Sequence, residues 1–186
     1  HKFLFKGTLG LLPTKPVHVE IKPNAKPFHG RAFSVPKAYE SMIRNEVERL
    51  CRLDVLRRCN ESEWAAPSFG TPKKNGQIRF VSDFRQLNKW IIHRPYPMPS
   101  IHELFKRFEG FTYCTALDLN MGFWTILLDK FSQRLCTIIL PWGKYCYLHL
   151  PMGLACSPDI YQEKMSELFI DMTFVIVYQD DIRVLT

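Results

Sequence analysis

The chain closes on "FVIVYQDDIRVLT", Phe174 to Thr186. Its flanks are apolar and β-branched, the composition of buried strands. Its middle carries two adjacent carboxylates, Asp180 and Asp181. Short apolar runs on both sides of a polar break read as a hairpin whose turn presents the two acids. A lone Asp-Asp pair is common turn chemistry, because aspartate favours turns. The meaning of this pair therefore depends on what the rest of the chain sets beside it.

A third acid, Asp118, ends the run "FTYCTALD", which reads as another strand. If the two strands are neighbours in one sheet, Asp118, Asp180 and Asp181 converge. Converging carboxylates repel unless a proton or a cation neutralises them. Oxygen-only ligands favour Mg²⁺ or Mn²⁺. Two such ions about 3.5–4 Å apart are the usual device for phosphoryl transfer.

Further towards the N-terminus, helix and strand signals alternate. The Pro-rich residues 1–36 read as an extended lead-in, with a short strand at "VHVEI". "PKAYESMIRNEVERLCRLDVLRR" spaces Tyr39, Ile43, Val47 and Leu50 for one helix face, with Arg57 and Arg58 at its cationic end. "APSFGTPKKNGQIRFVSDFRQLN" reads as a hairpin around an Asn75-Gly76 turn. Ser100 and Glu103 form a capping box for a helix that Gly110 ends. "FWTILLD", "RLCTIIL" and "PWGKYCYLHL" read as further strands, and "SPDIYQEKMSELF" as a helix capped by Ser157 with Pro158 at its first position. The fold class expected is α+β, with antiparallel hairpins and packed helices.

Composition narrows the function classes. At 186 residues and 46% hydrophobic, the chain is long and apolar enough to bury a sizeable core. No apolar run approaches the roughly 20 residues of a membrane span, and the start shows no secretory h-region. The first residue is not Met, which suggests a fragment or processed piece. Six cysteines without CxxC spacing read as reduced thiols of an intracellular protein. The six histidines show no zinc-ligand spacing, so any metal is held by oxygen. Charge is uneven: 20 Lys+Arg face 10 Asp+Glu through Gly110, and 5 face 8 beyond it. A basic first part joined to an acidic second part suits a polyanion gripped beside metal-binding carboxylates.

Five stretches, in order, carry a resemblance: "WAAPSFGTPKKNGQIRFVSDFRQLNKW", "RPYPMPSIHELF", "ALDLNMGFWTILL", "TIILPWGKYCYLHLPMGLACSPDIYQEKM" and "VYQDDI". Together they resemble a reverse transcriptase (RNA-directed DNA polymerase), most closely those of gypsy-type long-terminal-repeat retrotransposons, over roughly residues 15–186. The resemblance implies the fingers and palm subdomains of a right-handed polymerase. Residues 37–110 would be mostly fingers with a short piece of palm, and residues 111–186 palm. It implies that Asp118, Asp180 and Asp181 are the catalytic, metal-binding acids of two Mg²⁺ (or Mn²⁺) ions. Lys73, Arg79, Phe123, Met152 and Gly153 would form the dNTP pocket, with Phe123 as the ring that crowds a 2′-hydroxyl. Either Lys73 or Lys74 fits the triphosphate role, with Lys73 slightly ahead. Asp83, Arg85, Asn88 and Tyr178 would meet nucleic acid or shape its groove. The partners implied are an RNA or DNA template with primer, and dNTP. A cytoplasmic location, or one inside particles assembled there, is also implied.

The chain departs from that pattern at three places. Ala155 and Cys156 stand where Lys and Asn are common in gypsy-type elements. Arg183 stands where an apolar residue is usual, and a charge in a packed hairpin needs solvent or a partner. The family continues past the aspartate turn into a primer-holding hairpin and a thumb, whereas this chain stops at Thr186. A truncated fingers–palm piece is therefore the expectation, either a polymerase core or an inactive remnant that at most binds nucleic acid.

Overall fold

In the computed structural model, which describes residues 8–74 and 76–186, the lead-in runs extended across the body. The strand expected at "VHVEI" reduces to single rungs: Val17 bridges Leu128, Ile21 bridges Ile91, and further on His29 bridges Ala65. Pro16, Pro23 and Pro27 explain this, because proline has no N–H to give a ladder.

Helix α1 (Lys37–Arg52) buries Ile43, Val47 and Leu50, as its spacing predicts, but Tyr39 in its first turn stays exposed. Each such side chain, fully buried, stabilises the fold by about 1.5–3 kcal/mol. The helix stops at Leu53, and Asp54 takes a left-handed φ of 56°. Arg57 and Arg58 therefore lie in strand β1 (Leu56–Arg58), and the cationic last turn is made by Arg49 and Arg52 instead.

Strands β2 (Ala66–Pro72) and β3 (Ile78–Ser82) form the expected hairpin. Of the turn dipeptide assigned to it, Asn75 lies outside the described residues. Helix α2 (Arg85–Asn88) follows. Helix α3 (Ile101–Lys106) opens with the predicted capping box: the Ser100 N–H donates to Glu103 Oε2 at 2.8 Å, and the Glu103 N–H to Ser100 Oγ at 3.2 Å. It ends four residues before Gly110.

Strand β4 (Cys114–Asp118) ends at the expected acid. "FWTILLD" is not a strand. Met121 takes a φ of 59°, and Gly122–Thr125 turn into a 3-10 helix. "RLCTIIL" divides into the end of helix α4 (Lys130–Leu135) and strand β5 (Thr137–Leu140). Asp129 caps α4 by accepting from the Ser132 N–H at 2.8 Å, a local bond that competes with strand pairing. Strand β6 (Gly143–Tyr147), helix α5 (Ser157–Leu168) and strands β7 (Val175–Tyr178) and β8 (Asp181–Leu185) complete the chain. Ser157 is not the cap of α5: it is buried, and its hydroxyl donates to the Pro151 carbonyl at 2.6 Å.

Two sheets result. One has the order β1-β6-β5-β2-β3, antiparallel except for the parallel β2–β5 pair. The other has the order β4-β8-β7 and is fully antiparallel. The divide between 37–110 and 111–186 expected from the sequence runs through the first sheet, because β5 and β6 join β1–β3. One hydrophobic core holds both sheets: Val175, Val177 and Ile182 of the second share it with Ile43, Leu50 and Ile138 of the first. Tyr161 and Met165 of α5 lie between them in the same core. Among the described residues no helix is long and apolar enough to cross a membrane.

Candidate active site

The three-stranded sheet brings the acids together. Asp118 and Asp181 are direct partners across the β4–β8 pair, so their side chains leave the same face. Asp180 lies in the β7–β8 turn, and its carbonyl accepts from the Leu119 N–H at 2.9 Å. That bond ties the turn to the residue that follows Asp118. Gln179, the first central residue of the turn, takes a φ of 52°. Mirror-image hairpin turns need a positive φ there, and non-glycine residues rarely adopt it. Tyr178, at the end of β7, is partnered with Asp181 on its other side.

Arg183 lies two residues beyond Asp181 on the same face, and its partner on β4 is Ala116. Its guanidinium reaches Asp181 Oδ1 at 3.1 Å. The charge that looked costly in the sequence is thus paired with one of the acids.

Phe123 is delivered by the 3-10 turn after β4. Its ring stacks on Tyr161 of α5, with centroids 4.5 Å apart and planes 19° apart. Gly122 makes this approach possible, because any Cβ there would collide with the Tyr161 hydroxyl. Tyr161 is fully buried and its hydroxyl has no hydrogen-bond partner among the described residues. Burial pushes its phenol up to about 12, and the charges of Asp180 and Asp118 add to the shift. Both acids therefore act on the one phenol that supports Phe123.

The donor set suits a hard divalent cation. It is all carboxylate oxygen, the three acids carry three negative charges, and Arg183 returns only one. Among the described residues no three acidic, histidine or cysteine side chains are yet grouped closely enough to hold an ion. Asp181 Oδ1 is engaged by Arg183, so a cation would compete with the guanidinium for that oxygen.

The remaining residues singled out in the sequence form two further groups. Thr71, Pro72, Lys73, Lys74 and Arg79 line an open hollow at the tip of the β2–β3 hairpin. Lys73, Lys74 and Arg79 are exposed there, and the Lys73 N–H donates to the Gln77 carbonyl at 2.7 Å. In the second group Asn88 clips a loop. Its Nδ2 donates to the Gly153 carbonyl and its Oδ1 accepts from the Ala155 N–H, both at 2.9 Å. Gly153 takes a φ of 96°, which favours glycine, and Met152 beside it is exposed. Asp83 holds Arg85 through a fork of 2.8 and 2.7 Å bonds. That fork, outweighing burial, keeps the Asp83 carboxyl below its ordinary range. No hydrogen bond or ion pair among the described residues links these groups to the aspartates. The connection is α5, which starts just after the clipped loop and carries Tyr161 to Phe123.

Two residues of the site escaped the sequence reading. Tyr161 and Gln162 sit inside an ordinary amphipathic helix, with no local motif to mark them. Their significance comes only from what α5 packs against.

Comparison with known proteins gives a consistent picture. Residues 71–186 match the family model described as reverse transcriptase (RNA-dependent DNA polymerase). The chain is 33% identical over 158 residues to the enzymatic polyprotein of cauliflower mosaic virus (strain CM-1841), covering 80% of this chain and 23% of that protein. It is 28% identical over 172 residues to the retrovirus-related Pol polyprotein from transposon 297 of Drosophila melanogaster, covering 89% and 16%. The chain thus spans less than a quarter of these curated relatives. Among solved structures, prototype foamy virus protease–reverse transcriptase superposes with a TM-score of 0.86 at 24% identity, over 98% of this chain and 26% of that one. A foamy viral protease–reverse transcriptase in complex with an RNA/DNA hybrid gives 0.84 at 21% identity, over 97% and 24%. The fold is therefore the α+β fingers-and-palm architecture of a right-handed polymerase.

Proposed function

The chain belongs to the reverse transcriptase (RNA-dependent DNA polymerase) family, and from that premise we propose that it is the polymerase core of a gypsy-type retrotransposon polyprotein. The reaction is nucleotidyl transfer. The primer 3′-oxygen bonds to the α-phosphorus of a dNTP, the bond to the β-phosphate breaks, pyrophosphate leaves, and the hydroxyl proton passes to solvent. The observation that carries this reading is the direct pairing of Asp118 with Asp181 across the β4–β8 register, with Asp180 tied beside them by the Leu119 N–H.

Asp118, Asp180 and Asp181 are the residues that would hold the divalent ions. When bound, such ions activate the attacking hydroxyl and stabilise the leaving pyrophosphate. The chain's own residues supply the rest. Lys73 and Arg79 are free to meet the triphosphate, where Lys acts as a point charge and Arg as a fork. Phe123, braced by Tyr161, takes the place where a 2′-hydroxyl would sit and so favours deoxyribonucleotides by size. Met152 and Gly153, fixed by Asn88, form the wall beside the base pair. Arg85, Asn88 and Tyr178 are assigned to the template and primer, with Asp83 orienting Arg85. The basic character of residues 1–110 supports a polyanion partner, as does the hybrid carried by the foamy viral relative.

The test is extension of a DNA primer on RNA and on DNA templates by the purified chain, with Mg²⁺ and then Mn²⁺. Extension that disappears in Asp180→Asn supports the proposal. A folded chain that binds template–primer but extends nothing under any of these conditions would leave it a binding remnant and overturn the catalytic reading.

A further inference from the structure

We propose that Gln162 is a positioning residue for the aspartate turn, a role that rests on the polymerase reading of that turn. Strand β7 is one of the two edges of the sheet β4-β8-β7, so among the described residues no strand pairs with its outward backbone groups. Just before the acids, one side chain takes the place of that strand. Gln162 Oε1 accepts from the Gln179 N–H at 2.7 Å, and Gln162 Nε2 donates to the Val177 carbonyl at 3.2 Å. A carboxamide carries the same donor and acceptor as a peptide unit. It therefore forms one rung of a ladder, at the last place before the turn.

The geometry makes this rung specific. Gln162 is 2% exposed, and its Nε2 is also within hydrogen-bonding range of Ser166 Oγ at 3.1 Å, one helical turn on. The side chain is therefore fixed by its own helix before it meets the sheet. The residue it grips, Gln179, is the one held at a φ of 52°. Such a conformation persists only where its surroundings over-determine it. The next residue, Asp180, is held from the opposite side by the Leu119 N–H. The turn is thus clamped by α5 on one flank and by the end of β4 on the other, and the clamp sets where Asp180 and Asp181 point. Tyr161, the preceding residue of α5, braces Phe123. Two successive residues of one helix thereby fix the acids and the sugar-facing ring relative to each other.

The experiment compares the parent chain with Gln162→Leu and Gln162→Asn. Amide exchange at Gln179 is followed by NMR, Mn²⁺ binding by electron paramagnetic resonance, and primer extension as kcat and KM for dNTP. Gln162→Leu loses the whole rung. Its Gln179 amide should exchange roughly tenfold faster or more, the change a single lost hydrogen bond produces, while Mn²⁺ binding weakens and kcat falls more than KM. Gln162→Asn keeps both groups and adds no charge but is one methylene shorter, so it cannot span the Gln179 N–H and the Val177 carbonyl; its Gln179 amide should exchange faster and Mn²⁺ binding weaken. A folded Gln162→Leu with parental exchange and parental Mn²⁺ binding overturns the clamp. If Gln162→Leu does not fold, parental Gln179 exchange and parental Mn²⁺ binding in Gln162→Asn overturn it instead. An inactive parent in which the variant still releases the Gln179 amide and weakens Mn²⁺ binding refutes the polymerase reading and leaves the clamp standing. An active parent whose variants match it in all three measurements does the reverse.

Discussion

Arg183 shows how one side chain can set the working conditions of the site. Its pair with Asp181 has both partners partly exposed, so it adds less than about 1 kcal/mol to stability. Its effect on a divalent ion is larger. A unit positive charge several ångströms from a doubly charged ion costs roughly 1–2 kcal/mol even in water. Arg183→Leu should therefore tighten Mn²⁺ binding by about fivefold to thirtyfold, and shift the Mg²⁺ dependence of extension to lower concentration. Unchanged Mn²⁺ affinity would show that the guanidinium swings clear without cost. Phe123 belongs to the same scale. In the proposed reading its ring is the bulk that faces the sugar, and the stacked Tyr161 ring backs it. Phe123→Val should raise the use of ribonucleotides relative to deoxyribonucleotides by about 10- to 200-fold, the span that small size differences command. Competition between labelled rNTP and dNTP in single-nucleotide extension measures the ratio.

Individual elements divide into those whose signals were local and those whose signals were not. Helix α1, the β2–β3 hairpin, the Ser100–Glu103 box and the aspartate hairpin were all legible, because spacing and cap chemistry act within a few residues. "FWTILLD" misled for a tertiary reason. Its apolar residues are buried by the core, but Met121 and Gly122 turn the chain so that Phe123 reaches Tyr161. Ser157 misled because a hydroxyl that fits a cap found the Pro151 carbonyl instead. The three acids of the candidate site could be read from the chain, whereas Tyr161 and Gln162 required knowing which face of α5 meets which strand. Asn88 illustrates an element held by another: it gives α2 two hydrogen bonds to the Met152–Ala155 loop. Asn88→Ala should cost about 1–2 kcal/mol, seen as a lower Tm. Extension should show a raised KM for dNTP with kcat less affected, because the loop and not the acids is released.

Over the whole molecule, stability should fall as the medium is acidified, in two stages. His149 is 3% exposed, and burial lowers its pKa. The unfolded chain takes up a proton near the ordinary value of about 6.5, where the folded chain does not. This contribution is thus present above that value and is lost as pH falls through it towards the lower folded one. The carboxyls act next. Asp83 is held low by the Arg85 fork. At Asp129 and Asp159 burial pushes upward, but hydrogen bonds from Ser132 and His18, and from His93 and Tyr96, outweigh it. Each folded value lies below the unfolded one. Stability from these groups is complete above about pH 4 and disappears as pH falls through the folded values. Thermal melts from pH 8 to pH 3 should show Tm declining first around pH 6–6.5 and again below pH 4. A flat first stage would remove His149 from the account.

The lead-in also fixes an order in time. Its rungs are made to partners far along the chain: His18, beside the Val17–Leu128 bridge, meets Asp129 across 111 residues. A ribosome adding about 5–20 residues per second needs on the order of 5–20 s to supply that partner. Through that interval the Val17 end of the strap has no partner, while the His29–Ala65 and Ile21–Ile91 rungs can already form. The Val17 rung is therefore fastened after the two rungs that follow it in the lead-in.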